Sequence, residues 1–438
     1  MNENLSAPTL IILAGGASSR MWPIREKSLL KFGSEALLIS QLRRYEQLGF
    51  EKAIVVANPD SHVEIAASMP MFERLRVRVT MQLTPRGMGD AILCASPFLD
   101  STERAIYVTQ VHDVVEDTLH QDMLMAYRMD SQNSYLAGIE MEDYFPGGYL
   151  VVDADGRITG IVEKPGADHR PSNLVNIVAH VHADAQALFA ALQAEYASPN
   201  QADDHYERAM DRLMQSQTYQ VVPYRGSWAA IKFPWHVLDV MNVFLSRIKG
   251  QQVASSAFIA PTASLVGNVF IGENAKVFPG AAVVGPAYIG ANTIVGNNAL
   301  VRNSMVLDRC EVGFTSEIAR SYVAEGVAMH ACRVLDSVLM PGVNFSAGCT
   351  TANLRIDHGD VGSAVKGSKM SSGRNKFGAV IGANAFIGVD VMTMPGVKIG
   401  ARAEVGPGTH VHQDIPDDMR VYIKQTVVMI EKTKGEQR

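Results

Sequence analysis

Residues 283–301 read VVGPAYIGANTIVGNNALV, with an aliphatic residue at every sixth position. The same period extends in both directions, and its members are Ile259, Leu265, Ile271, Val277, Val283, Ile289, Val295, Val301 and Leu307. After a break it returns at Ile381, Ile387, Ile399, Val405 and Val411, with Thr393 as the one polar member. Neither an α-helix nor a plain strand has a period of six, whereas a parallel β-helix with six residues on each side of a triangular coil does. The pattern therefore predicts a β-helix over 257–425.

The hexads are broken over 308–380, and we expect this interruption to hold loops and functional residues. Within it, the run TTANLR at 350–355 lacks the aliphatic residue that fills a coil, which favours function over packing. A polar stretch without period at 249–256 predicts a linker, and 426–438 a C-terminal tail.

Residues 1–248 alternate short apolar runs with helical patterns. The runs are apolar on both faces, as buried parallel strands are, at Leu10–Leu13, Ala53–Ala57 and Ile106–Thr109, with helices expected near 36–48, 61–69 and 88–98. This alternation predicts an open, doubly wound (Rossmann-like) α/β sheet, which binds ligands at the carboxyl ends of its strands.

Two glycines, Gly15 and Gly16, follow the first of these strands, and Arg20 and Lys27 follow the glycines. Glycine lets the backbone approach a ligand closely, and successive N–H groups form a nest for anions. Arg offers a bidentate fork to phosphate, and Lys a mobile point charge. A tight βα turn would also contain Gly-Gly, but the ordered cations favour a phosphate site.

The run from Leu13 to Pro23, with Lys27-Ser28-Leu29-Leu30 after it, resembles the signature of sugar-1-phosphate nucleotidyltransferases. Ser18 stands where that family usually has Gly, and Glu26 where it has Pro. The resemblance implies that Leu13, Gly15 and Gly16 bind the nucleotide and that Arg20 and Lys27 are catalytic.

Further segments of the N-terminal half resemble motifs of the same family. The implied roles are base recognition by Gln82 and Gly87 in QLTPRGMG, Mg²⁺ binding by Asp113, and sugar binding by Glu163 of Glu-Lys-Pro and by Asn176. His180 and His182 alternate along a strand, which favours a shared face over a metal site. At Trp228–Trp235 relatives often carry a second metal-binding Asp, where this chain has Ala230. Lys232 replaces a Gly there, and either it adds positive charge for phosphate or the site is impaired.

The second half resembles left-handed β-helix acyltransferases. The segments around His330, Asn353 and Lys376 are similar to the acyltransferase half of the bifunctional N-acetylglucosamine-1-phosphate uridylyltransferase/glucosamine-1-phosphate acetyltransferase family, above all its archaeal type. This resemblance implies that His330 deprotonates the sugar amine, with acetyl-CoA as co-substrate, and that Asn353 and Lys376 contact the sugar phosphate. Arg333 stands where bacterial relatives often have Tyr. His330 could instead be a turn residue of the coil.

Composition limits the classes of partner. A net charge of −6 over 438 residues gives no support for nucleic-acid or membrane binding. Four scattered cysteines suggest neither a zinc site nor a disulfide framework, and reduced cytoplasmic thiols are the simplest interpretation. The N-terminus lacks the basic region of a signal peptide. The family resemblance implies a homotrimer.

Three hypotheses follow. The first is a bifunctional enzyme that makes UDP-N-acetylglucosamine from UTP, acetyl-CoA and a sugar-1-phosphate. The second is a monofunctional sugar-1-phosphate nucleotidyltransferase of the glucose or mannose type, whose β-helix only trimerises it. The third is a non-catalytic regulatory relative. Retention of Arg20, Lys27 and Asp113 disfavours the third, whereas His330, Asn353 and Lys376 favour the first over the second.

Overall fold

The computed structural model describes residues 5–16, 18–100, 102–198 and 204–431. The chain divides into two compact units by its internal contacts. The first takes residues up to Met21 and Arg25–Val240, and the second takes Trp22–Ile24 and residues from Met241 onward.

The first unit is an α/β domain. Its strands are β1 (Thr9–Ala14), β2 (Lys52–Ala57), β3 (Arg76–Met81), β4 (Ile106–Gln110), β5 (Asp113–Val115), β6 (Ser134–Glu140), β7 (Gly148–Val152), β8 (Ile158–Glu163), β9 (Leu174–His182), β10 (Tyr219–Tyr224) and β11 (Trp228–Ala230). Its helices are α1 (Leu37–Gln47), α2 (His62–Ser68), α3 (Met88–Ala95), α4 (Asp117–Met129), α5 (Ala185–Ala197), α6 (His205–Met214) and α7 (His236–Ser246), the last of which extends past Val240.

The main sheet has the strand order β10-β6-β9-β4-β1-β2-β3. Strands β1, β2, β3 and β4 are mutually parallel, as the apolar runs predict, and β9 runs antiparallel between β4 and β6. The hairpin of β7 and β8 joins the sheet through β9, and β5 forms a separate ribbon with β11. Strands β1 and β4 lie side by side, so the loops at their carboxyl ends share one edge of the sheet.

The second unit is a three-sided parallel β-helix. Its first face consists of Gln251–Val253, Val269–Ile271, Ala287–Ile289, Met305–Val306, Tyr322–Val323, Val338–Leu339, Val380–Ile381 and Lys398–Ile399. Its second face consists of Phe258–Ile259, Lys276–Val277, Ile294–Val295, Glu311–Val312, Ala328–Met329, Asn344–Phe345, Phe386–Ile387, Glu404–Val405 and Arg420–Val421. Its third face consists of Ser264–Val266, Ala282–Val284, Leu300–Arg302, Glu317–Ala319, Arg333–Leu335, Thr350–Thr351, Met392–Thr393 and His410–Val411.

The coils continue through 308–351, so the predicted interruption of the β-helix there is wrong. Val277 pairs with Val295, eighteen positions later, but Ile289 pairs with Val306 after seventeen and Ile318 with Val334 after sixteen. Shortened corners shift the phase of the hexads without ending the coil. For the same reason Val306 fills the coil at this point, whereas Leu307, the last residue of the predicted series, is buried but lies outside the cluster that fills the coil.

The one excursion from the coil among these residues lies between Thr351 and Val380 and contains a hairpin of Gly362–Val365 and Ser368–Ser371. Thr351 itself points into the core and is fully buried. Its hydroxyl lies 2.9 Å from the Ser337 hydroxyl and accepts from the Leu335 N–H at 2.8 Å. A satisfied threonine therefore fills the coil where we expected function, because a hydrogen bond removes most of the cost of burying its hydroxyl.

The stretch 249–256, which we predicted as a linker, contains the first strand of the β-helix. Gln251–Val253 pairs in parallel with Val269–Ile271. No helix in the described ranges is long and apolar enough to cross a membrane. The four cysteines are free thiols.

Candidate active sites

A cavity of about 330 Å³ lies at the carboxyl ends of the central strands in the first unit. Every predicted binding residue of this half lines it, namely Leu13, Gly15, Gly16, Arg20, Lys27, Gln82, Gly87, Asp113, Glu163 and Asn176. These residues come from five separate stretches of the chain, 13–27, 82–87, 113, 163 and 176. The fold thus brings all N-terminal candidates to one site.

The glycine loop and its cations form one side of the cavity. A Cβ on Gly15 would lie 3.2 Å from Gln82 Oε1, so the backbone passes too closely for a larger residue to fit easily. The Lys27 ammonium donates to the Ile231 carbonyl at 3.4 Å, and the Arg20 guanidinium lies 5.6 Å from the centre of the Phe233 ring. Burial lowers the pKa of Lys27 to about 8, against the opposing effect of Asp113.

A short antiparallel ribbon sets the acidic part of the cavity. Asp113 on β5 pairs directly with Ala230 on β11, and its carboxylate accepts from Trp228 Nε1 at 3.2 Å. Burial raises the pKa of Asp113, whereas Lys232 and the Trp228 hydrogen bond lower it. No group of three or more His, Cys, Asp or Glu side chains in the described ranges is placed to hold a metal ion.

Lys232 lines the same cavity. Its ammonium donates to the Pro146 carbonyl at 3.2 Å and lies 3.7 Å from the centre of the Phe145 ring. Burial lowers the pKa of Lys232 to about 8, opposed by Asp113 and Glu163. Lys232 is therefore oriented toward the site, which its position in the sequence alone did not decide.

The Gln82 amide has a defined orientation. Its Nε2 donates both to the Gly87 carbonyl at 3.1 Å and to Asp90 Oδ2 at 2.8 Å. Asp90 is held in turn by an ion pair with Arg86, and the Tyr196 hydroxyl accepts from its backbone N–H at 2.8 Å. Because both N–H groups of Nε2 are used, Gln82 presents only its carbonyl oxygen to a ligand.

Asn176 is oriented by a buried chain of hydrogen bonds. His180 bridges Asn176 Oδ1 at 3.0 Å and the Tyr206 hydroxyl at 2.8 Å, and His182 bridges Tyr206 at 2.8 Å and Tyr219 at 3.2 Å. Burial lowers the pKa of both histidines, so each is neutral and donates through one nitrogen only. Since Asn176 Oδ1 must accept from His180, the Asn176 amide presents N–H donors to the cavity.

Several cavity residues were not singled out from the sequence. Phe145, Tyr196, His205 and Glu207 line the cavity, and the rings of Tyr196 and His205 stack at 4.3 Å. They lie in a loop and in α5 and α6, where helical and turn patterns alone give no sign of a ligand. Trp228 begins the Trp228–Trp235 segment, but the sequence alone gives its side chain no role.

In the second unit the candidates lie at two corners of the coil. His330 is exposed between Ala328–Met329 on the second face and Arg333–Leu335 on the third. Asn353 and Lys376 lie at the next corner, between the third and first faces, where Leu354 and Lys376 form a bridge. The strand Arg333–Leu335 separates the two corners within one chain. The fold therefore brings Asn353 and Lys376 together but not His330.

A buried carboxylate anchors the second corner. Asp336 is 4% exposed and accepts two hydrogen bonds of 2.7 Å from Arg320 and one from Asn353 Nδ2. The Asn353 carbonyl also accepts from the Phe377 N–H at 2.9 Å. Asn353 thus ties both ends of the excursion to the coil beneath it.

Replacing Asp336 by Ala is expected to destabilise the β-helix by about 2 kcal/mol, because bonds to charged groups of roughly this strength are lost. Asp336→Asn, which keeps part of the network, should cost less. Chemical unfolding of both variants measures the difference. A free energy of unfolding unchanged in Asp336→Ala would contradict the anchoring role.

Comparisons with known proteins agree with this architecture. The nucleotidyl transferase family model matches residues 9–231, and the bacterial transferase hexapeptide model (six repeats) matches 268–303 and 378–413. The gap between the hexapeptide matches coincides with the shortened coils and the excursion. The first half therefore belongs to the nucleotidyl transferase family, and the predicted left-handed β-helix is confirmed.

Relatives with the same two halves extend along the whole chain. A bifunctional sugar-1-phosphate nucleotidylyltransferase/acetyltransferase of Sulfurisphaera tokodaii is 29% identical over 416 residues, covering 92% of this chain and 97% of the relative. A bifunctional protein GlmU of Methanococcus maripaludis is 30% identical over 431 residues, covering 96% and 99%. The chain belongs to this bifunctional family of transferases.

Proposed function

We propose that the first unit transfers a uridylyl group from UTP to N-acetylglucosamine-1-phosphate, and that the β-helix acetylates glucosamine-1-phosphate with acetyl-CoA. The names of the full-length relatives support a sugar-1-phosphate substrate and both transfers. The observation that carries the first activity is the convergence of the glycine loop, the cations Arg20, Lys27 and Lys232, and the buried carboxylate of Asp113 on a single cavity.

Nucleotidyl transfer needs charge neutralisation and positioning more than covalent chemistry. An oxygen of the sugar phosphate attacks the α-phosphorus, a new P–O bond forms, and the bond to the β-phosphate breaks to release pyrophosphate. Arg20 and Lys27 bind the phosphate oxygens as negative charge moves to the leaving group. Backbone N–H groups at Gly15 and Gly16 hold the nucleotide beside them.

One Mg²⁺ ion fits the donors present. Mg²⁺ in such sites is held by one or two carboxylates together with substrate phosphates, and Asp113 is a buried carboxylate on the cavity wall. When bound, the ion would neutralise phosphate charge. The Trp228 hydrogen bond keeps the Asp113 side chain turned toward the site.

The orientation of Gln82 supports uracil as the base. Uracil presents an N–H between two carbonyl groups, which matches the Gln82 carbonyl oxygen, whereas cytosine presents an acceptor at the same place. Gln82 cannot rotate its amide to suit cytosine without losing its bonds to Gly87 and Asp90.

Replacing Asp90 by Leu is therefore expected to relax the choice of base. The preference for UTP over CTP, measured as a ratio of kcat/KM values, should fall about tenfold, equivalent to about 1.4 kcal/mol. Asp90→Asn is the matched control, since its amide carbonyl still accepts from Gln82. A ratio unchanged in Asp90→Leu would contradict this account of selectivity.

Asn176 and Glu163 support an N-acetylated sugar. Asn176 offers N–H donors, which suit the acetamido carbonyl, and Glu163 offers a carboxylate, which suits sugar hydroxyl groups. N-acetylglucosamine-1-phosphate is therefore expected to be a better acceptor than glucose-1-phosphate in the same assay.

Acetyl transfer needs a base near the sugar amine. The amine nitrogen attacks the thioester carbon, an N–C bond forms, and the C–S bond breaks to release coenzyme A as the thiol. His330 is exposed, accepts the amine proton and passes it to the departing thiolate. Asn353 and Lys376 would contact the sugar phosphate, in keeping with the positive charge of Lys376.

Because these groups lie at different corners and on successive coils of one chain, we propose a homotrimer that brings His330 of one copy near Asn353 and Lys376 of the next. We also place the enzyme in the cytoplasm, where its four free thiols stay reduced.

Separate half-reactions test the proposal. With UTP, Mg²⁺ and N-acetylglucosamine-1-phosphate, release of pyrophosphate is expected, and with acetyl-CoA and glucosamine-1-phosphate, release of a free thiol. Pyrophosphate release with ATP or CTP but not UTP would contradict the choice of base. Absence of thiol release would contradict the second activity.

A further inference from the structure

The segment 231–233 contacts or supplies three of the cations that line the cavity, namely Lys27, Arg20 and Lys232. The Ile231 carbonyl accepts from the Lys27 ammonium, the Phe233 ring lies under the Arg20 guanidinium, and Lys232 enters the cavity itself. This arrangement concentrates positive charge where a triphosphate would lie. It also links the position of each cation to one short stretch of chain.

The strand Trp228–Ala230, which pairs with β5, carries no second acid opposite Asp113. Residues paired across an antiparallel ribbon share a face, with Cβ atoms about 4.5–5.5 Å apart. Ala230 pairs with Asp113 and has only a methyl group to offer. A metal ion held by two carboxylates at this ribbon therefore has no second ligand at residue 230.

The Lys232 ammonium lines the same cavity and contacts two neutral groups. It is flanked by the Phe145 ring and the Pro146 carbonyl, and Phe145 packs at 4.6 Å on Trp228, the residue that binds Asp113. An ammonium has three N–H donors. Within the described ranges Lys232 Nζ donates one hydrogen bond, to Pro146, so two donors remain for a ligand.

We propose that Lys232 is a catalytic residue of the nucleotidyl-transfer site, where its ammonium binds the phosphate chain in place of a second metal-binding carboxylate. The proposal rests on the proposed nucleotidyl transfer. It assigns the phosphate charge to Lys232 together with Arg20 and Lys27. Asp113 then holds at most a single divalent ion together with the phosphates.

The first test measures phosphate binding without metal. A UTP analogue with a methylene group between the α- and β-phosphates is titrated calorimetrically in EDTA. Lys232→Met is expected to weaken its binding at least tenfold and to lower kcat about 10²-fold in Mg²⁺. Lys232→Arg should restore much of the binding, and Lys249→Met, an exposed lysine outside the cavity, should change neither quantity.

The second test counts metal ions directly. Titration with Mn²⁺, followed by electron paramagnetic resonance in the presence of the analogue, is expected to give one ion per first unit in the wild type. Ala230→Asp combined with Lys232→Gly should bind Mn²⁺ at least tenfold more tightly. Two ions per site in the wild type, or analogue binding and kcat within twofold of wild type in Lys232→Met, would overturn the proposal.

If the first unit does not catalyse nucleotidyl transfer, the wild type releases no pyrophosphate with any triphosphate. The affinity for the analogue, compared between the wild type and Lys232→Met, still tests whether Lys232 binds phosphate. Thermal unfolding of each variant distinguishes a lost contact from a misfolded domain. If Lys232→Met is unfolded, Lys232→Gln replaces it, with the same expected loss of binding.

Discussion

Replacing Lys27 by Met is expected to lower kcat/KM for nucleotidyl transfer about 10²–10³-fold, while acetyl transfer stays unchanged. The side chain fits the space but carries no charge to meet the phosphates, and removal of one preorganised donor typically costs this much. Steady-state pyrophosphate release measures the effect. Lys249→Met is the matched control, because it removes a lysine outside the cavity.

The charge of Lys27 also predicts that kcat/KM for nucleotidyl transfer depends on pH. The pKa of Lys27 is lowered from 10.5 to about 8 by burial, so the free enzyme loses this charge as the pH rises through 8. Since kcat/KM reports on the free enzyme, it should fall above about pH 8. Lys27→Arg stays charged, so its alkaline decline should be less steep and should reflect Lys232, whose pKa is also about 8.

A rise in pH through 8 has opposite effects on activity and on stability: loss of the Lys27 charge lowers activity but stabilises the folded protein. Below about pH 8 the folded protein carries the buried charge of Lys27, which the unfolded chain keeps in water up to about 10.5. Burial of that charge costs stability below pH 8, and the cost is relieved between pH 8 and 10.5. Lys27→Met should therefore be at least as stable as the wild type at pH 7. A less stable variant with proportionate loss of activity would contradict the catalytic role.

Replacing His330 by Ala is expected to lower kcat for acetyl transfer about 10²–10⁴-fold, the range for loss of a general base. Uridylyl transfer should not change, because the two activities use separate parts of the chain. The rate of thiol release from acetyl-CoA measures the effect. His412→Ala is the matched control, since His412 is also exposed on the β-helix but lies outside the candidate site.

The variant also tests the hypothesis that the β-helix only assembles the enzyme. Acetyl transfer at the wild-type rate in His330→Ala would show that His330 is not the general base. An oligomeric state that changes together with activity would indicate a structural role instead. The account predicts an unchanged mass by light scattering.

The fold could be predicted from the sequence because both periodicities are strong. Aliphatic residues at six-residue spacing fill the coil, and Ile271, Val277 and Val283 are all fully buried. Buried parallel strands could likewise be recognised from runs such as Leu10–Leu13, which are apolar on both faces. In each case a local pattern reflects a repeated packing requirement.

The shortened coils could not be predicted in the same way. A corner that is shorter by one or two residues shifts the position of every later core residue by the same number. Val306 therefore fills the coil where the six-residue period predicts Leu307. The fully buried Thr351 satisfies its hydroxyl through Ser337, a partner fourteen residues away. Counting residues in sixes along the sequence reveals neither the shortened corners nor the hydrogen bond between Thr351 and Ser337.

The residues predicted for the first site come together in one cavity, whereas those predicted for the second do not. The motifs of the first site lie at strand ends, which the sheet brings to one edge, and Asp113, Glu163 and Asn176 all reach the cavity. The side-chain orientations of Gln82 and Asn176 depend on Asp90 and His180, and no linear motif encodes those contacts. The separation of His330 from Asn353 depends on which corner of the coil each residue occupies, which shifts with the phase of the hexads.

The central claim is that one chain carries both transfers. A single reaction containing the purified protein, Mg²⁺, UTP, acetyl-CoA and glucosamine-1-phosphate, with its products identified by mass spectrometry, tests this most directly. The account predicts UDP-N-acetylglucosamine, together with pyrophosphate and free coenzyme A. Recovery of unmodified glucosamine-1-phosphate, with no acetylated product, would contradict it.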